Sequence, residues 1–193
     1  MLSPDEIARR LAAVQQTVGP SVTVVAATKY VSLADMAALV EAGVRVVGEN
    51  RAQDLDAKHA EYGDAFEWHF IGHLQSNKVS AVNRICTLVH SLDSHSAAQK
   101  LTVPALVQVN LAGEASKSGV DPAEIASYDA IGLSTMPPAA ADPESSRPWF
   151  ARLTELAAEH GLRELSMGTT QDFRVAAEEG ATYVRVGSVL FAE

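Results

Sequence analysis

Three kinds of residue in this chain could act together on one small ligand: a lysine, an arginine, and two short runs rich in glycine and hydroxyl groups. Lys29 follows the apolar run that begins the heptapeptide VVAATKY, residues 24–30. Desolvation at the mouth of a pocket lowers the pKa of an amine and makes it a nucleophile towards carbonyl groups. The alternative is that Lys29 only meets solvent where a strand leaves the core.

The two glycine-containing runs are SMGTT (166–170) and RVGS (185–188). Glycines such as Gly168 and Gly187 let the backbone approach a ligand closely, and N–H groups beside Ser and Thr hydroxyls can cradle an anion. Either run alone is also typical of an ordinary turn. Together they predict a phosphate site.

These residues need elements that bring them together, and eight apolar runs predict strands. The predicted strands are Val22–Thr28, Arg45–Asn50, Trp68–Gly72, Thr87–Leu92, Ala105–Leu111, Ala130–Thr135, Glu164–Gly168 and Tyr183–Phe191. Helical patterns alternate with them at Ser3 to about Gly19, Ser32–Ala42, Ala52–Tyr62, Ser76–Ile85, Ser94–Leu101, from Asp121 onward, Pro148–His160 and Asp172–Glu179. This alternation predicts parallel strands with right-handed crossovers. We expect a (β/α)8 TIM barrel in a single domain, residues 1–193, although such barrels usually have about 250 residues. The alternative is an open, doubly wound sheet.

Almost every predicted strand becomes polar or glycine-rich at its carboxyl end, which is the end where barrels carry their sites. Alternation along a strand places Val25, Ala27 and Lys29 on one face, directed into the barrel. Arg185 lies two residues before Gly187 and shares the inward face of the last strand. An inward lysine, an inward arginine and a phosphate cradle fit pyridoxal phosphate, a phosphorylated aldehyde. The alternative for Arg185 is a buried ion pair with Glu49 or Asp93.

Composition excludes several other classes. The 193 residues include 24 acidic and 15 basic ones, a formal net charge of −9, and no basic cluster, which argues against nucleic-acid binding. Cys86 is the only cysteine, so no intrachain disulfide or cysteine-based zinc site can form. The amino-terminal MLSPDEIARRLAAV predicts a capped helix and not a signal peptide, and no run reaches the roughly 20 apolar residues of a membrane span. We expect a cytoplasmic protein.

Several motifs together resemble one family. They are AATKY (26–30), GEN (48–50), WHFIGHLQSNK (68–78), VHSLDS (89–94), QVN with GEASKSG (108–119), LSMGTTQDF (165–173) and VRVGSVLF (184–191). In this order, over nearly the whole chain, they are similar to the pyridoxal-phosphate homeostasis proteins, single-domain relatives of the alanine racemase amino-terminal barrel.

The resemblance implies pyridoxal phosphate as cofactor, held as a Schiff base on Lys29, with Arg185 facing the pyridine nitrogen. It implies a phosphate grip by Ser166, Thr170, Gly187 and Ser188, and it places Asn50 near the ring. The family's SMGMSDD reads SMGTTQDF here, so Thr170 stands for a serine and Gln171 for an acid.

Two segments depart from an ordinary barrel. The middle units are short, since residues 111–130 must hold both the SKSG loop and a crossover, while a crossover needs about a dozen residues. We therefore expect thin cover and partial exposure of strands five and six. The proline-rich stretch Met136–Pro148 predicts a long loop without regular structure, either a lid or plain disorder.

The function expected from these residues is a carrier that serves intracellular pyridoxal phosphate homeostasis without turnover. An amino-acid racemase is the alternative, but racemisation needs a base on each face of the ligand. The racemases that this barrel resembles take the second base from a further domain, which is absent from the 193 residues, and Tyr30 is expected to leave strand one on the wrong face. An arginine at the ring nitrogen would also weaken the cofactor as an electron sink, which argues against transamination and decarboxylation and less against racemisation. The third hypothesis is a barrel without a ligand that serves only as an interaction scaffold.

The expected partners are pyridoxal phosphate and pyridoxal-phosphate-dependent apoenzymes, with no membrane, and a monomer or weak homodimer. His69 and His73 are four residues apart without a third ligand, so no metal site is expected. Lys117 either meets the ligand or a partner, or is a solvated loop lysine.

Overall fold

The architecture is a closed barrel of eight parallel strands. In a computed structural model that describes residues 3–114 and 118–192, the strands pair in chain order and the last closes on the first. They are β1 (Thr23–Ala27), β2 (Val46–Glu49), β3 (Glu67–Phe70), β4 (Leu88–Leu92), β5 (Ala105–Gln108), β6 (Gly132–Ser134), β7 (Glu164–Ser166) and β8 (Tyr183–Val186). The predicted TIM barrel is confirmed, and the open sheet is wrong.

Helices connect the strands on the outside of the barrel. The α-helices are α1 (Pro4–Val18), α2 (Met36–Glu41), α3 (Ala52–Tyr62), α4 (Val79–Ile85), α5 (His95–Ala98), α6 (Arg147–Glu159), α7 (Phe173–Glu178) and α8 (Ser188–Phe191). Three 3₁₀ helices span Gly63–Ala65, Pro122–Ser127 and Pro143–Ser146. No helix of the described residues has the length and apolar composition to cross a bilayer.

Side chains of β1 alternate between two environments. Val24 and Ala26 belong to the apolar cluster that also contains helix residues such as Ile7 and Leu39. Val25 is fully buried outside that cluster and is the register partner of Arg185 on β8. The strand that precedes Lys29 therefore has the predicted faces, and its inner face lies next to that of the last strand.

The short connection between β5 and β6 covers the strands better than predicted. Asp121 caps the 3₁₀ helix Pro122–Ser127, because its carboxylate accepts from the Ala123 N–H at 2.9 Å. Its Ile125 is 3% exposed, and Tyr128 packs against the apolar core. Leu106 and Leu133 of β5 and β6 are fully buried. The expected exposure of these strands is wrong, because Ile125 and Tyr128 of a short connection cover them in place of a longer helix.

Two further boundaries differ from the prediction. Residues 183–191 do not form one strand, since β8 ends at Val186 and α8 begins at Ser188. The proline-rich stretch 136–148 contains regular structure, because Asp142 caps the 3₁₀ helix Pro143–Ser146 with a 3.0 Å bond from the Glu144 N–H, and α6 starts at Arg147. Proline is well tolerated in a first helical turn, where its missing N–H is not needed.

Candidate functional site

A cavity of about 820 Å³ lies at the carboxyl ends of the strands. Its wall includes residues that follow β1, β2, β3, β6, β7 and β8. Six of the eight residues predicted to contact a ligand line it: Lys29, Asn50, Thr170, Arg185, Gly187 and Ser188. Most of the candidate residues therefore lie at one rim of the barrel, as the strand pattern predicts.

Lys29 stands at the cavity wall with its side chain exposed. Its amine lies 4.7 Å from the centre of the Tyr30 ring, and it makes no hydrogen bond or ion pair with any residue that the structure describes. The prediction of a desolvated amine is therefore not what the structure shows. Tyr30 also lines the cavity and is 90% exposed, although it was expected on the opposite face.

Beneath Lys29 is a buried polar cluster that the sequence analysis did not find. The Lys58 amine of α3 forms an ion pair with Glu49 at the end of β2, and the two side chains are 6% and 0% exposed. The Thr28 hydroxyl donates to Glu49 Oε1 at 2.6 Å. A signal was present, because Lys58 follows the buried Ala52 and Leu55 at helical spacing.

Arg185 is buried, 6% exposed, and enters the cavity wall from β8. Its Nη2 donates to the Thr135 carbonyl at 2.8 Å, while its Nε has no hydrogen-bond partner among the described residues. Burial lowers the pKa of Arg185 to about 10, with the charge of Asp172 acting in the opposite direction.

The alternative interpretation of Arg185, an ion pair with Glu49 or Asp93, is wrong. Glu49 pairs with Lys58, and Asp93 pairs with His73 at 3.3 Å. Asn50 Oδ1 is a second buried atom of the cavity wall without a partner in the described chain. A polar ligand with hydrogen-bonding atoms fits this wall, because buried polar groups are normally satisfied.

The loops after β7 and β8 meet at Thr170. Its Oγ1 accepts from the N–H groups of Gly187 at 3.2 Å and Val189 at 3.3 Å. Asp172 holds the neighbouring Thr169 through the backbone N–H at 2.7 Å and the hydroxyl at 3.1 Å. Two amide groups that converge on one oxygen form the kind of arrangement that binds anions.

Gly168 is not part of the cavity wall, and packing explains why this position is a glycine. Its φ of +89° is in the left-handed region, and a Cβ there would lie 2.5 Å from the Ala176 Cβ. Gly168 therefore permits the close approach of the β7 loop to α7.

Ser166 lies inside the barrel and not at the cavity. Its hydroxyl is 2.7 Å from His90 Nδ1, His90 Nε2 is 2.9 Å from His69 Nδ1, and His69 Nε2 is 3.1 Å from Glu67 Oε1. Because a carboxylate only accepts, the protons run from Ser166 to His90, from His90 to His69, and from His69 to Glu67. This order of donors and acceptors requires both histidines to be neutral. The structure does not bring Ser166 to the predicted phosphate grip.

Burial lowers the pKa of both histidines, most strongly for His90, where the electrostatic interactions with His69 and with the Arg185 cation act in the same direction. Burial alone would raise the pKa of Glu67, but hydrogen bonds with His69 and Thr87 lower it overall. His73 lies apart from this chain, exposed at the cavity wall. The described residues contain no cluster of three or more metal-ligating side chains. Lys117 lies outside the described residues.

Comparison with known proteins identifies the family. The family model "Alanine racemase, N-terminal domain" matches residues 2–193. A pyridoxal phosphate homeostasis protein of Aquifex aeolicus is 40% identical over 177 residues, which cover 78% of each chain. The chain belongs to the pyridoxal phosphate homeostasis protein family. Its relative from Vibrio cholerae is 31% identical and matches 98% of this chain and 94% of its own.

Solved structures of the family share the barrel. PipY of Synechococcus elongatus is 33% identical to this chain, and the alignment covers 96% of this chain and all of PipY. The TM-score is 0.89 for PipY without PLP and 0.87 for PipY with PLP bound. Alanine racemase from Corynebacterium glutamicum, at 18% identity and a TM-score of 0.75, shares the fold over 98% of this chain and 61% of its own.

Proposed function

We propose that this chain binds pyridoxal 5′-phosphate (PLP) at the cavity and serves intracellular PLP homeostasis. The observation that carries the proposal is that Lys29, Arg185 and the Thr170 loop line one cavity. The family relationship supports it, because PipY, 33% identical to this chain, has a structure with PLP bound.

When bound, PLP supplies an aldehyde that condenses reversibly with an amine to a Schiff base. Lys29 is the amine at the cavity wall that can take this part, because it is exposed and forms no bond to any described residue. The buried Arg185 guanidinium would be the partner of the pyridine nitrogen, and Asn50 would contact the ring, since both residues line the cavity. Their unpartnered atoms, Arg185 Nε and Asn50 Oδ1, support these two assignments.

The phosphate is held where the loops after β7 and β8 meet. Thr170, Gly187 and Ser188 all line the cavity. Because Thr170 Oγ1 already accepts from the Gly187 and Val189 amides, its own O–H would be the donor to the phosphate. Gly168 contributes by letting this loop pack on α7. Ser166 acts only through its bond to His90, inside the barrel.

We further propose that the chain holds PLP without catalysing turnover. A racemase needs a second base held opposite the lysine. Tyr30 is the tyrosine nearest to that role, but it is 90% exposed, and its hydroxyl makes no bond with the described residues that would fix it. An arginine at the ring nitrogen disfavours protonation of that nitrogen and so weakens electron withdrawal.

The wider setting belongs to the same proposal. Residues 1–193 act as one PLP-binding domain in the cytoplasm, as a monomer or weak homodimer, and PLP-dependent apoenzymes receive the cofactor. The net charge of −9 supports neither nucleic acid nor an anionic membrane as a partner.

The test is an absorption spectrum of the purified protein after addition of PLP, with and without borohydride. We expect a yellow Schiff-base band, and mass spectrometry after reduction should place the label on Lys29. The Lys29→Ala variant should lose the band, whereas Lys100→Ala, which removes an exposed lysine, should keep it. A wild-type protein without the band would contradict the proposal.

The racemase alternative has its own measurement. The PLP-loaded protein is incubated in deuterium oxide with L-alanine and with D-alanine, and exchange of the α-hydrogen is followed by NMR. A carrier leaves both isomers unlabelled over hours. Exchange that disappears in Tyr30→Phe would show that the phenol serves as the second base.

A further inference from the structure

The residues that precede Lys29 and Asn50 in the chain are tied together by one buried ion pair. Glu49 ends β2 directly before Asn50, and Thr28 follows β1 directly before Lys29. Lys58 reaches both from α3, since its amine binds the Glu49 carboxylate and donates to the Thr28 carbonyl at 2.8 Å. One ammonium group therefore contacts the ends of two neighbouring strands.

The Glu49 carboxylate completes the connection. Oε1 accepts from the Thr28 hydroxyl at 2.6 Å, and Oε2 is 3.3 Å from the Asn50 N–H. The Thr28 N–H also donates to the Gly48 carbonyl at 3.0 Å, and its own carbonyl accepts from the Val31 N–H at 2.8 Å. Lys29 and Asn50 thus extend from backbone that is held on both sides.

Stability alone does not explain this pair. The charged groups are almost fully buried, and apolar residues of similar volume often give equal or greater stability than a buried ion pair. What the pair adds is a fixed geometry, because its hydrogen bonds are directional and reach two strands and a helix.

We propose that Glu49 and Lys58 are positioning residues that set the orientation of Lys29 and Asn50 towards PLP. This inference rests on the proposed function of the cavity. Neither side chain lines the cavity, so both act through the backbone of residues 28 and 50. Removal of the pair should leave a folded barrel whose lysine is present but poorly oriented.

The test uses the double variant Glu49→Met/Lys58→Met, which removes both charges together, so that neither partner is left as an unpaired buried charge. The control is Leu55→Ala, which opens a cavity on the buried face of the same helix and removes none of the hydrogen bonds of Glu49, Lys58 or Thr28. Lys58→Arg keeps a cation and serves as the rescue. If the double variant does not fold, Thr28→Val takes its place; it removes the hydroxyl bond to Glu49 and a longer one, 3.3 Å, to the Gly48 carbonyl, and keeps the ion pair.

The first readout needs no ligand. Hydrogen exchange of the Thr28 and Val31 amides is measured by NMR in the PLP-free proteins, because both amides donate within the segment that the pair holds. We expect at least about tenfold faster exchange in the double variant, equivalent to about 1.4 kcal/mol of lost local protection. In Leu55→Ala and Lys58→Arg, the exchange rates of these two amides relative to those of the β1 amides should equal the wild-type value.

The second readout is PLP binding, followed as the Kd and as the position of the Schiff-base band. The double variant should bind about tenfold more weakly with a displaced band, and Lys58→Arg should restore both. Unchanged affinity and spectrum in a folded double variant would overturn the proposal, and so would faster exchange with unchanged PLP binding. If wild-type Lys29 is not labelled by PLP and borohydride, the proposed function fails. Hydrogen exchange that is unchanged between the double variant and wild type would separately show that the ion pair does not hold the strand ends.

Discussion

Arg185 is a buried cation that forms no ion pair with the described residues. Its guanidinium donates to the Thr135 carbonyl and to Met136 Sδ, and Nε has no hydrogen-bond partner among the described residues. Desolvation of an unpaired charge is costly, which is why burial lowers its pKa to about 10. The free protein therefore bears a cost at the position where the proposed function needs a donor.

We predict opposite effects of Arg185→Met on stability and binding. Loss of the buried charge should stabilise the PLP-free protein by about 1 kcal/mol, after subtraction of the lost hydrogen bond to Thr135. PLP affinity should fall about tenfold or more, because a donor facing the ligand is gone. Urea denaturation and a PLP titration measure the two effects. A variant that is less stable than wild type by more than 1 kcal/mol would contradict the stated cost.

At the level of elements, the connection between β5 and β6 relies on a few apolar side chains, among them Val120, Ile125 and Tyr128. Ile125, on the 3₁₀ helix Pro122–Ser127, is 3% exposed. We predict that Ile125→Ala lowers the free energy of unfolding by about 2 to 4 kcal/mol, as expected for a buried large-to-small change. Val40→Ala on α2, where the side chain is 41% exposed, should cost less than 1 kcal/mol. Equal effects in urea denaturation would mean that this turn does not cover the barrel.

Strands β3, β4 and β7 are joined inside the barrel by the chain from Glu67 through His69 and His90 to Ser166. Tyr183 packs on both histidines, and Arg185 adds a positive charge near His90. The unfolded chain protonates a histidine near pH 6.5, whereas burial keeps folded His90 neutral to lower pH. Below pH 6.5 the unfolded state therefore binds more protons, and stability falls.

We predict a loss of up to about 1.4 kcal/mol per pH unit from His90 between pH 6.5 and its lower folded-state pKa. The His90→Gln variant should be less stable at pH 8 but show a flatter decline between pH 6.5 and 5. His160→Gln, which changes an exposed histidine on the outer surface, should follow the wild-type curve. Urea midpoints across this pH range measure the difference, and parallel curves for wild type and His90→Gln would disprove it.

The prediction of strands and helices succeeded where the hydrophobic period of a segment and its residue types indicated the same element. All eight strands were found because each apolar run is short and bounded by turn residues. The last run failed at its end, because Val189, Leu190 and Phe191 are as apolar in the observed α8 as in a strand, and three residues show no period. His90 gave no signal, since a polar residue within a strand has the same pattern whether it lies in a barrel or faces solvent.

At the scale of the whole molecule, the site is distributed over the barrel. Lys29 and Arg185 were both placed correctly at the cavity because the inward faces of β1 and β8 follow from alternation alone. Ser166 was not placed correctly. Its position depends on where β7 ends, and β7 includes Ser166 as its last residue. Boundaries of one residue decide whether a side chain meets the ligand or the interior.

We predict that PLP stabilises the molecule as a whole. At a free concentration of one hundred times Kd, binding should add about 2.7 kcal/mol, a rise in Tm of about 5 to 11 °C for a chain of this size. Differential scanning fluorimetry measures it. Lys29→Ala should show a smaller rise than Lys100→Ala at equal PLP. Pyridoxal without the phosphate should also give a smaller rise, and equal shifts with both ligands would contradict the phosphate grip.

Closure of the barrel by β8 against β1 has a consequence for biosynthesis. Lys29 precedes Arg185, Gly187 and Ser188 by more than 150 residues in the chain. During synthesis, the amine of the proposed site therefore leaves the ribosome well before the groups that would grip a phosphate. In the proposed function, capture of PLP would become selective only once β8 has emerged and closed on β1, so a chain truncated before β8 would present the amine without a phosphate site.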